Sequence, residues 1–226
     1  MEPYFIFNGI SSEDYMTVDK LPPILKAAKD IRKIEIEGRD GFLTQDNESY
    51  KGIIKPVECW IRNLDNIDFI CSWLTSGGEV IFSNEPDKKY KTVIINQIEF
   101  SKMLREFHRF IIQFDCQPHG YSLYNSIITL TSAGTIYNSG SANSRPIIKM
   151  FGTGAITLTI NSNVVSLTNI SEYVIIDSEM MDAYKGTQLM NNYMSGEFSE
   201  LIPGNNTISW TGTVTSIEIT PNFRYL

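Results

Sequence analysis

The sequence is poor in the residues that most metal and catalytic centres need. Its 226 residues contain two histidines, His108 and His119, and three cysteines, Cys59, Cys71 and Cys116. No HxH, HExxH or CxxC spacing occurs, although zinc sites are commonly built on such spacings. The odd number and wide separation of the cysteines also argue against a disulfide framework. We therefore predict no metal site and three buried free thiols.

Basic charge and long apolar runs are scarce as well. The chain has 19 basic and 26 acidic residues, a formal net charge of −7. Nucleic-acid-binding proteins concentrate Lys and Arg to neutralise phosphates, whereas the densest basic stretch here, residues 88–91, is interpreted as a solvated hairpin flank. No apolar run reaches the ~20 residues of a membrane span, and the start lacks a secretory signal. We expect a protein made in the cytoplasm, with no membrane segment.

Motifs for covalent or nucleotide chemistry are missing too. No GxSxG elbow occurs. Gly152-Thr153-Gly154 lacks the third glycine and the following helix of a dinucleotide loop, and is predicted to be a β-turn. Glycosidases use two carboxylates about 5–9 Å apart, but Glu85/Asp87 and Asp177/Glu179 are interpreted as solvated charges at strand edges. We predict no catalytic residue, no cofactor and no enzymatic activity.

The composition changes near residue 122 and predicts two domains. Residues 1–122 contain 15 basic and 19 acidic residues, whereas residues 123–226 contain 4 and 7. Ser, Thr and Asn make up 37 of the last 104 residues. We place the domains at residues 1–122 and 123–226, with a turn at Pro118-His119-Gly120 between them.

The first domain is predicted to be a β-barrel or sandwich with one helix. The helix is expected at residues 64–74, with Asn63 as N-cap and Cys71 on its apolar face. The Gly38-Arg39-Asp40-Gly41 turn is expected to lead into a polar loop at residues 45–48. The predicted strands span residues 4–7, 15–20, 31–37, 53–61, 79–82, 90–100 and 107–116.

The second domain reads as a β-sandwich. Ile156, Leu158 and Ile160 alternate with threonines, as in half-buried strands, and short strands recur between Gly/Asn turns. Trp210 shares a predicted strand face with Ile208 and is expected in the core.

Several segments, taken in order, resemble one protein family. In the first half they are Phe5-Ile6-Phe7-Asn8-Gly9, Leu21-Pro22-Pro23-Ile24, Gly38-Arg39-Asp40-Gly41, Val57-Glu58-Cys59, Phe82-Ser83-Asn84-Glu85-Pro86-Asp87, Ile94-Ile95-Asn96-Gln97-Ile98 and the stretch from Phe110 to Pro118. In the second half they are Arg145-Pro146-Ile147-Ile148-Lys149, Gly152-Thr153-Gly154, Asp177-Ser178-Glu179, Asp182-Ala183-Tyr184, the stretch from Pro203 to Trp210 and the C-terminal stretch from Pro221 to Leu226. This set resembles the distal tail (Dit) proteins of bacteriophages with long, non-contractile tails, from phages and prophages of Gram-positive hosts.

The resemblance implies a mainly β fold with one helix. The first domain would form the ring, and the second would be a galectin-like, jelly-roll type sandwich. It further implies a homo-hexameric ring, single or back-to-back, that caps the tail tube at the tip of the virion after assembly in the host bacterial cytoplasm. The implied partners are the major tail tube protein, the tail-associated protein and a receptor-binding protein, with DNA passing through the lumen without specific binding. The resemblance leaves the ring-interface residues unknown.

Two other functions stay open. A carbohydrate-binding module for recognition of the host cell wall would place Tyr173, Tyr184 and Tyr193 on one exposed surface. A wall-degrading enzyme is disfavoured by the missing metal ligands and by the positions of the histidines and carboxylates.

Overall fold

The chain folds mainly into antiparallel strands with one α-helix. The computed structural model describes residues 2–104 and 107–226. The chain divides into two compact units, Met1–Gly120 together with Leu226, and Tyr121–Tyr225. The turn predicted at Pro118-His119-Gly120 is wrong, because these residues continue a 16-residue strand, Phe107–Ser122.

The first unit contains one large sheet, a separate hairpin and the helix. Its strands are β1 (Phe5–Phe7), β2 (Ile10–Ser11), β3 (Thr17–Lys20), β4 (Lys29–Glu35), β5 (Phe42–Tyr50), β6 (Ile53–Ile61), β7 (Gly78–Phe82), β8 (Lys88–Ile94), β9 (Ser101–Leu104) and β10 (Phe107–Ser122), and its helices are a 3-10 turn (Ser12–Asp14) and α1 (Ile67–Trp73). The sheet order is β2-β1-β7-β8-β10-β6-β3, with β9 also on β10. Within the ranges that the structure describes, strands β4 and β5 pair with each other and with no other strand.

An aromatic cluster forms the core of this unit. The ring of Phe114 lies 5.5–5.7 Å from the rings of Phe5, Phe7 and Phe82. Trp73 brings α1 onto the cluster, because its indole Nε1 donates a 3.0 Å hydrogen bond to the carbonyl oxygen of Phe7. Burying rings of this size contributes about 1.5–3 kcal/mol per side chain, so the cluster holds sheet and helix together.

The helix is shorter than predicted, and it packs against the core with a different face from the predicted one. It begins at Ile67 with Asn66 at the N-cap position, so the assignment of Asn63 as the cap is wrong. Its buried residues are Ile70 and Trp73, and the large indole decides which face packs inward. Cys71 consequently lies exposed, against the prediction of a buried thiol, whereas Cys59 and Cys116 are buried.

Two predicted segments of the first unit differ for identifiable reasons. The strand predicted over residues 90–100 ends at Ile94. Beyond it, the Asn96 side chain takes the place of a strand residue: its Nδ2 donates to the carbonyl of Ile111 at 2.8 Å, and its Oδ1 accepts from the amide of Gln113 at 2.7 Å. The polar loop predicted at residues 45–48 belongs instead to β5, which pairs with β4.

A buried cluster of charged and polar side chains in the first unit joins Lys55, Glu85 and Tyr90. Lys55 is fully buried, and its ammonium donates to Glu85 at 2.7 Å. The Tyr90 hydroxyl donates to the other oxygen of Glu85 at 2.7 Å. Burial alone would raise the pKa of Glu85, but the hydrogen bonds from Lys55 and Tyr90 outweigh it and hold that pKa below its ordinary value. The interpretation of Glu85 as a solvated charge is therefore wrong.

The second unit is a sandwich of antiparallel strands. Its strands are β11 (Ile128–Leu130), β12 (Gly134–Asn138), β13 (Ile147–Ile160), β14 (Asn163–Ile170), β15 (Tyr173–Asp177), β16 (Asp182–Lys185), β17 (Gln188–Leu189), β18 (Met194–Ser195), β19 (Gly204–Thr220) and β20 (Arg224–Tyr225), with a 3-10 turn at Asn191–Tyr193. The long central pair β13 and β19 serves both layers. One half of β13 pairs with β15 and the other half pairs with β14.

Glycines allow the central pair to bend between the layers. The register of β13 against β19 shifts around Gly152 and again before Ile156. A Cβ on Gly152 would lie 2.3 Å from the carbonyl oxygen of Thr213, and one on Gly212 (φ +99°) would lie 2.4 Å from that of Ala155. Gly152-Thr153-Gly154 is thus a β-bulge and not the predicted turn. The sequence pattern does not distinguish the two, because glycine suits both structures.

Two further side-chain positions differ from the predictions for the second unit. Asp177 is buried and accepts hydrogen bonds from the amides of Glu179 and Met180, so it caps a turn and is not a solvated charge. Trp210 is only partly buried at the edge of the core, whereas Ile208 lies within it.

We expect Gly212→Ala to destabilise the second unit. The methyl group would meet backbone at a positive φ, a strain of about 1–3 kcal/mol before any clash is counted. Gly134→Ala is the matched control, since a Cβ there would make an ordinary 3.4 Å contact. Thermal unfolding followed by circular dichroism should show a clear drop in Tm for the first variant only; equal Tm values would contradict the bulge requirement.

We expect Lys55→Met to lower the free energy of unfolding by up to about 3–5 kcal/mol, because the buried Glu85 carboxylate loses its 2.7 Å partner and keeps the more distant Lys88 ammonium at 3.7 Å. In the wild type the lowered pKa of Glu85 adds stability that is present above pH 4.5 and is lost as the pH falls below that value.

The variant should lose this acid dependence, since burial then favours the protonated carboxyl. Tm measured from pH 3 to 7 tests this. The double variant Lys55→Met/Glu85→Gln should recover most of the loss at pH 7, because no buried charge remains and the introduced amide oxygen can still accept from Tyr90. A double variant as unstable as the single one would contradict this account.

Candidate assembly surfaces

The titratable side chains of the described residues do not gather into a metal centre. Across residues 2–104 and 107–226, no group of three His, Cys, Asp or Glu side chains could hold a metal ion. His108 and His119 lie on the same strand, about 36 Å apart along it, and His119 packs edge-on against the Tyr50 ring. Burial raises the pKa of the Cys116 thiol to about 11. No helix within the described ranges is both long and apolar enough to span a membrane.

The β4–β5 hairpin is the most exposed element of the first unit. Nearly all its residues are exposed, and it pairs with no other strand in the described part of the chain. Five apolar side chains on or beside it are each 40–51% exposed: Ile31, Ile34, Ile36, Phe42 and Leu43. The cross-strand register places Ile34 opposite Leu43 on one face and Phe42 opposite Glu35 on the other. Apolar groups therefore occur on both faces.

Local contacts hold the hairpin together. Lys29 pairs with Asp46 at 2.6 Å, Asn47 donates to Asp30 at 3.0 Å, and the Lys33 ammonium lies 4.4 Å from the Phe42 ring centroid. Exposed pairs of this kind contribute little to stability, because solvent screens them. An isolated two-stranded hairpin is marginally stable in water. Contact with a partner would bury the exposed apolar residues of this hairpin and stabilise it.

A second apolar surface lies on the sheet of the first unit. Ile54, Val93, Ile95 and Ile111, here called the outer face, are each 45–50% exposed. They come from β6, β8, β10 and the residue after β8. On β10, Ile111 alternates with Phe110 and Ile112, whose side chains point into the core. The outer face is therefore the reverse side of the same strands that build the core.

A groove of about 710 Å³ borders the outer face, and ion pairs occupy its rim. Its lining includes Glu58, Asn96, Arg109 and Ile111. The Arg109 guanidinium donates to Asp19 at 2.9 Å and also to Glu58. The pairing of Arg109 with two carboxylates disfavours the binding of an anionic ligand in this groove.

The second unit presents a partly exposed aromatic pair with two lysines beside it. Phe151 and Tyr173 are cross-strand partners with ring centroids 6.2 Å apart. The Lys149 ammonium lies 4.6 Å and 4.8 Å from the two centroids. The Lys185 ammonium lies 5.4 Å from the Tyr173 ring. We call these four residues the ring–lysine site.

The three tyrosines considered for sugar binding are partly brought together. Tyr173 and Tyr184 share one sheet face, because Tyr184 is opposite Ile175, two residues from Tyr173. Tyr193 lies in the 3-10 turn after β17, and within the described residues it makes no ring contact with the other two.

Sequence reasoning missed these surfaces, although weak signals for them existed. Residues 42–50 alternate too little to predict a strand, yet the preceding Gly-Arg-Asp-Gly turn is typical of a hairpin. The apolar outer residues of β6 and β10 stand between core residues in the sequence, where an alternating pattern predicts polar ones.

The first unit matches a known family in sequence. Residues 5–116 match the family model described as the phage tail protein RIFT-related domain. The match covers β1 through most of β10, including the hairpin, α1 and the outer face. No curated protein sequence matches the chain.

The fold extends this likeness to the full chain. The crystal structure of the Dit protein (gp 19.1) of phage SPP1 is described as a paradigm of the hub adsorption apparatus in phages that infect Gram-positive bacteria. It matches with a TM-score of 0.77 over 100% of both chains, at 15% sequence identity. At this identity the likeness shows a shared fold, and the predicted fold class is confirmed. The resemblance inferred from the ordered segments is confirmed as well, because residues 5–116 match a phage tail protein family model and the whole chain shares the fold of a Dit protein.

Proposed function

We propose that this protein is a structural hub of the phage tail tip and forms a hexameric ring through its first unit. The ring would connect the major tail tube protein to the tail-associated protein and a receptor-binding protein, without enzymatic activity. The observation that carries the proposal is the β4–β5 hairpin, which exposes apolar side chains on both faces and, among the described residues, pairs with no other strand.

The hairpin of one copy is proposed to lie on the outer face of the next. A closed ring of identical copies needs a heterologous contact, made by two different surfaces on each subunit. The hairpin and the outer face are two such surfaces. Covering a half-exposed aliphatic side chain contributes roughly 1 kcal/mol, and nine such side chains are available between the two surfaces.

Charges of both signs lie near these surfaces. The hairpin carries Arg32 and Lys33 as well as Glu35 and Asp46, and the outer face carries Asp115 beside Ile54. Opposite charges around an apolar contact select the correct orientation more than they add affinity.

The acidic character of the chain suits a channel for DNA. A net charge of −7 would repel the phosphate backbone and limit adhesion during passage through the lumen. We place the assembled ring, single or back-to-back, at the tail tip of the virion, after assembly in the host bacterial cytoplasm.

Native mass spectrometry across a concentration series tests the ring. The wild type should form hexamers or double hexamers as the concentration rises. Ile34→Glu on the hairpin and Ile111→Glu on the outer face should each reduce assembly at least tenfold, since each would bury a charge in the contact. Ile127→Glu, at an exposed position of the second unit, is the matched control and should assemble as the wild type does.

Mixing the two variants adds a sharper check. Each variant keeps one intact surface, so the mixture should give one-to-one dimers but no ring. Hexamers in every variant would contradict the hairpin contact but not the ring. A wild type that stays monomeric, alone and with its tail partners, would contradict the ring.

A further inference from the structure

Lys149 is the least engaged cation of the second unit. Residues 123–226 contain only four basic residues. Arg145 pairs with Glu200 at 3.3 Å, the buried Arg224 donates to the carbonyl of Asn143, and Lys185 pairs with Glu172 at 2.8 Å. Lys149 makes no ion pair or hydrogen bond with a residue that the structure describes, although Glu218 is its cross-strand neighbour.

The position of this ammonium is fixed by the rings below it. Its distances of 4.6 Å and 4.8 Å to the Phe151 and Tyr173 centroids fall within the range of cation–π contacts. Such contacts restrain a side chain that otherwise moves freely. The ring–lysine site therefore places a partly exposed ammonium beside two partly exposed rings.

The neighbouring residues extend this surface along the sheet. Ile175 is the cross-strand partner of Lys149, and Tyr184 is the next partner in the same row. Both are partly exposed. Tyr184 contributes another ring and a hydroxyl, which suits a ligand with both apolar C–H groups and hydroxyls.

We propose that the ring–lysine site binds a phosphate-bearing sugar or polyol unit of a polymer. An ammonium that makes no ion pair within the described chain can bind phosphate through charge-assisted hydrogen bonds, and aromatic faces pack against the C–H surface of a sugar or polyol. An uncharged sugar would leave Lys149 unused, and a bare polyanion would leave the rings unused. This binding activity goes beyond the proposed ring and does not depend on it.

Isothermal titration calorimetry with the full chain tests the proposal. The probes are phosphorylated dextran, unmodified dextran and inorganic polyphosphate, the two charged probes matched in phosphate concentration. We expect phosphorylated dextran to bind at least tenfold more tightly than either of the others. Equal binding of polyphosphate would overturn the role of the rings, equal binding of plain dextran would overturn the role of Lys149, and no binding of any probe would overturn the site.

Variants locate the binding. Lys149→Gln removes the charge and keeps a long polar side chain, and Phe151→Leu removes one ring and keeps an apolar residue. Each should weaken binding of phosphorylated dextran at least tenfold, with an unchanged Tm. Lys26→Gln, at an exposed lysine of the first unit, is the control and should bind as the wild type does. Binding that survives both site variants would place the ligand elsewhere and overturn the proposal.

Discussion

Side chains along strand β10 alternate between the two sides of the sheet, and this alternation determines both the core and the outer face of the first unit. On one side, Phe110, Ile112, Phe114 and Cys116 enter the core, where Phe114 contacts three other rings. On the other side, Ile111 lies on the outer face. A strand that donates alternate residues to a core must present the rest outward, so the same backbone geometry that stabilises the unit also creates a candidate contact surface. Any shift of register by one residue would exchange the two.

The second unit meets a similar constraint by bending its strands. Strands β13 and β19 stay paired along nearly their whole length, and glycines let the pair pass from one layer to the other. Each long strand therefore has one face in the core in both of its halves. Ile148 and Leu158, from the two halves of β13, lie in the same core. The outward residues, Lys149 and Phe151 among them, then fall beside Tyr173 on a neighbouring strand.

Much of this architecture could be predicted from the sequence, but particular residues show where such reasoning ends. The strand at residues 53–61 has the predicted bounds, because core positions recur there at every second residue. Gly152 and Gly154 suit a turn and a bulge equally well, and only the partner strand distinguishes them. The burial of Lys55 depends on Glu85, thirty residues away. The exposed surfaces depend on which strands become neighbours, and that information is not local.

The orientation of helix α1 about its own axis also has a practical consequence. Because Trp73 and Ile70 face the core, Cys71 points to solvent while Cys59 and Cys116 stay buried. The chain therefore carries one accessible thiol among three, at a defined place in the first unit. A maleimide dye could be attached there without engineering a new cysteine, and energy transfer between labelled copies would report subunit spacing directly in solution.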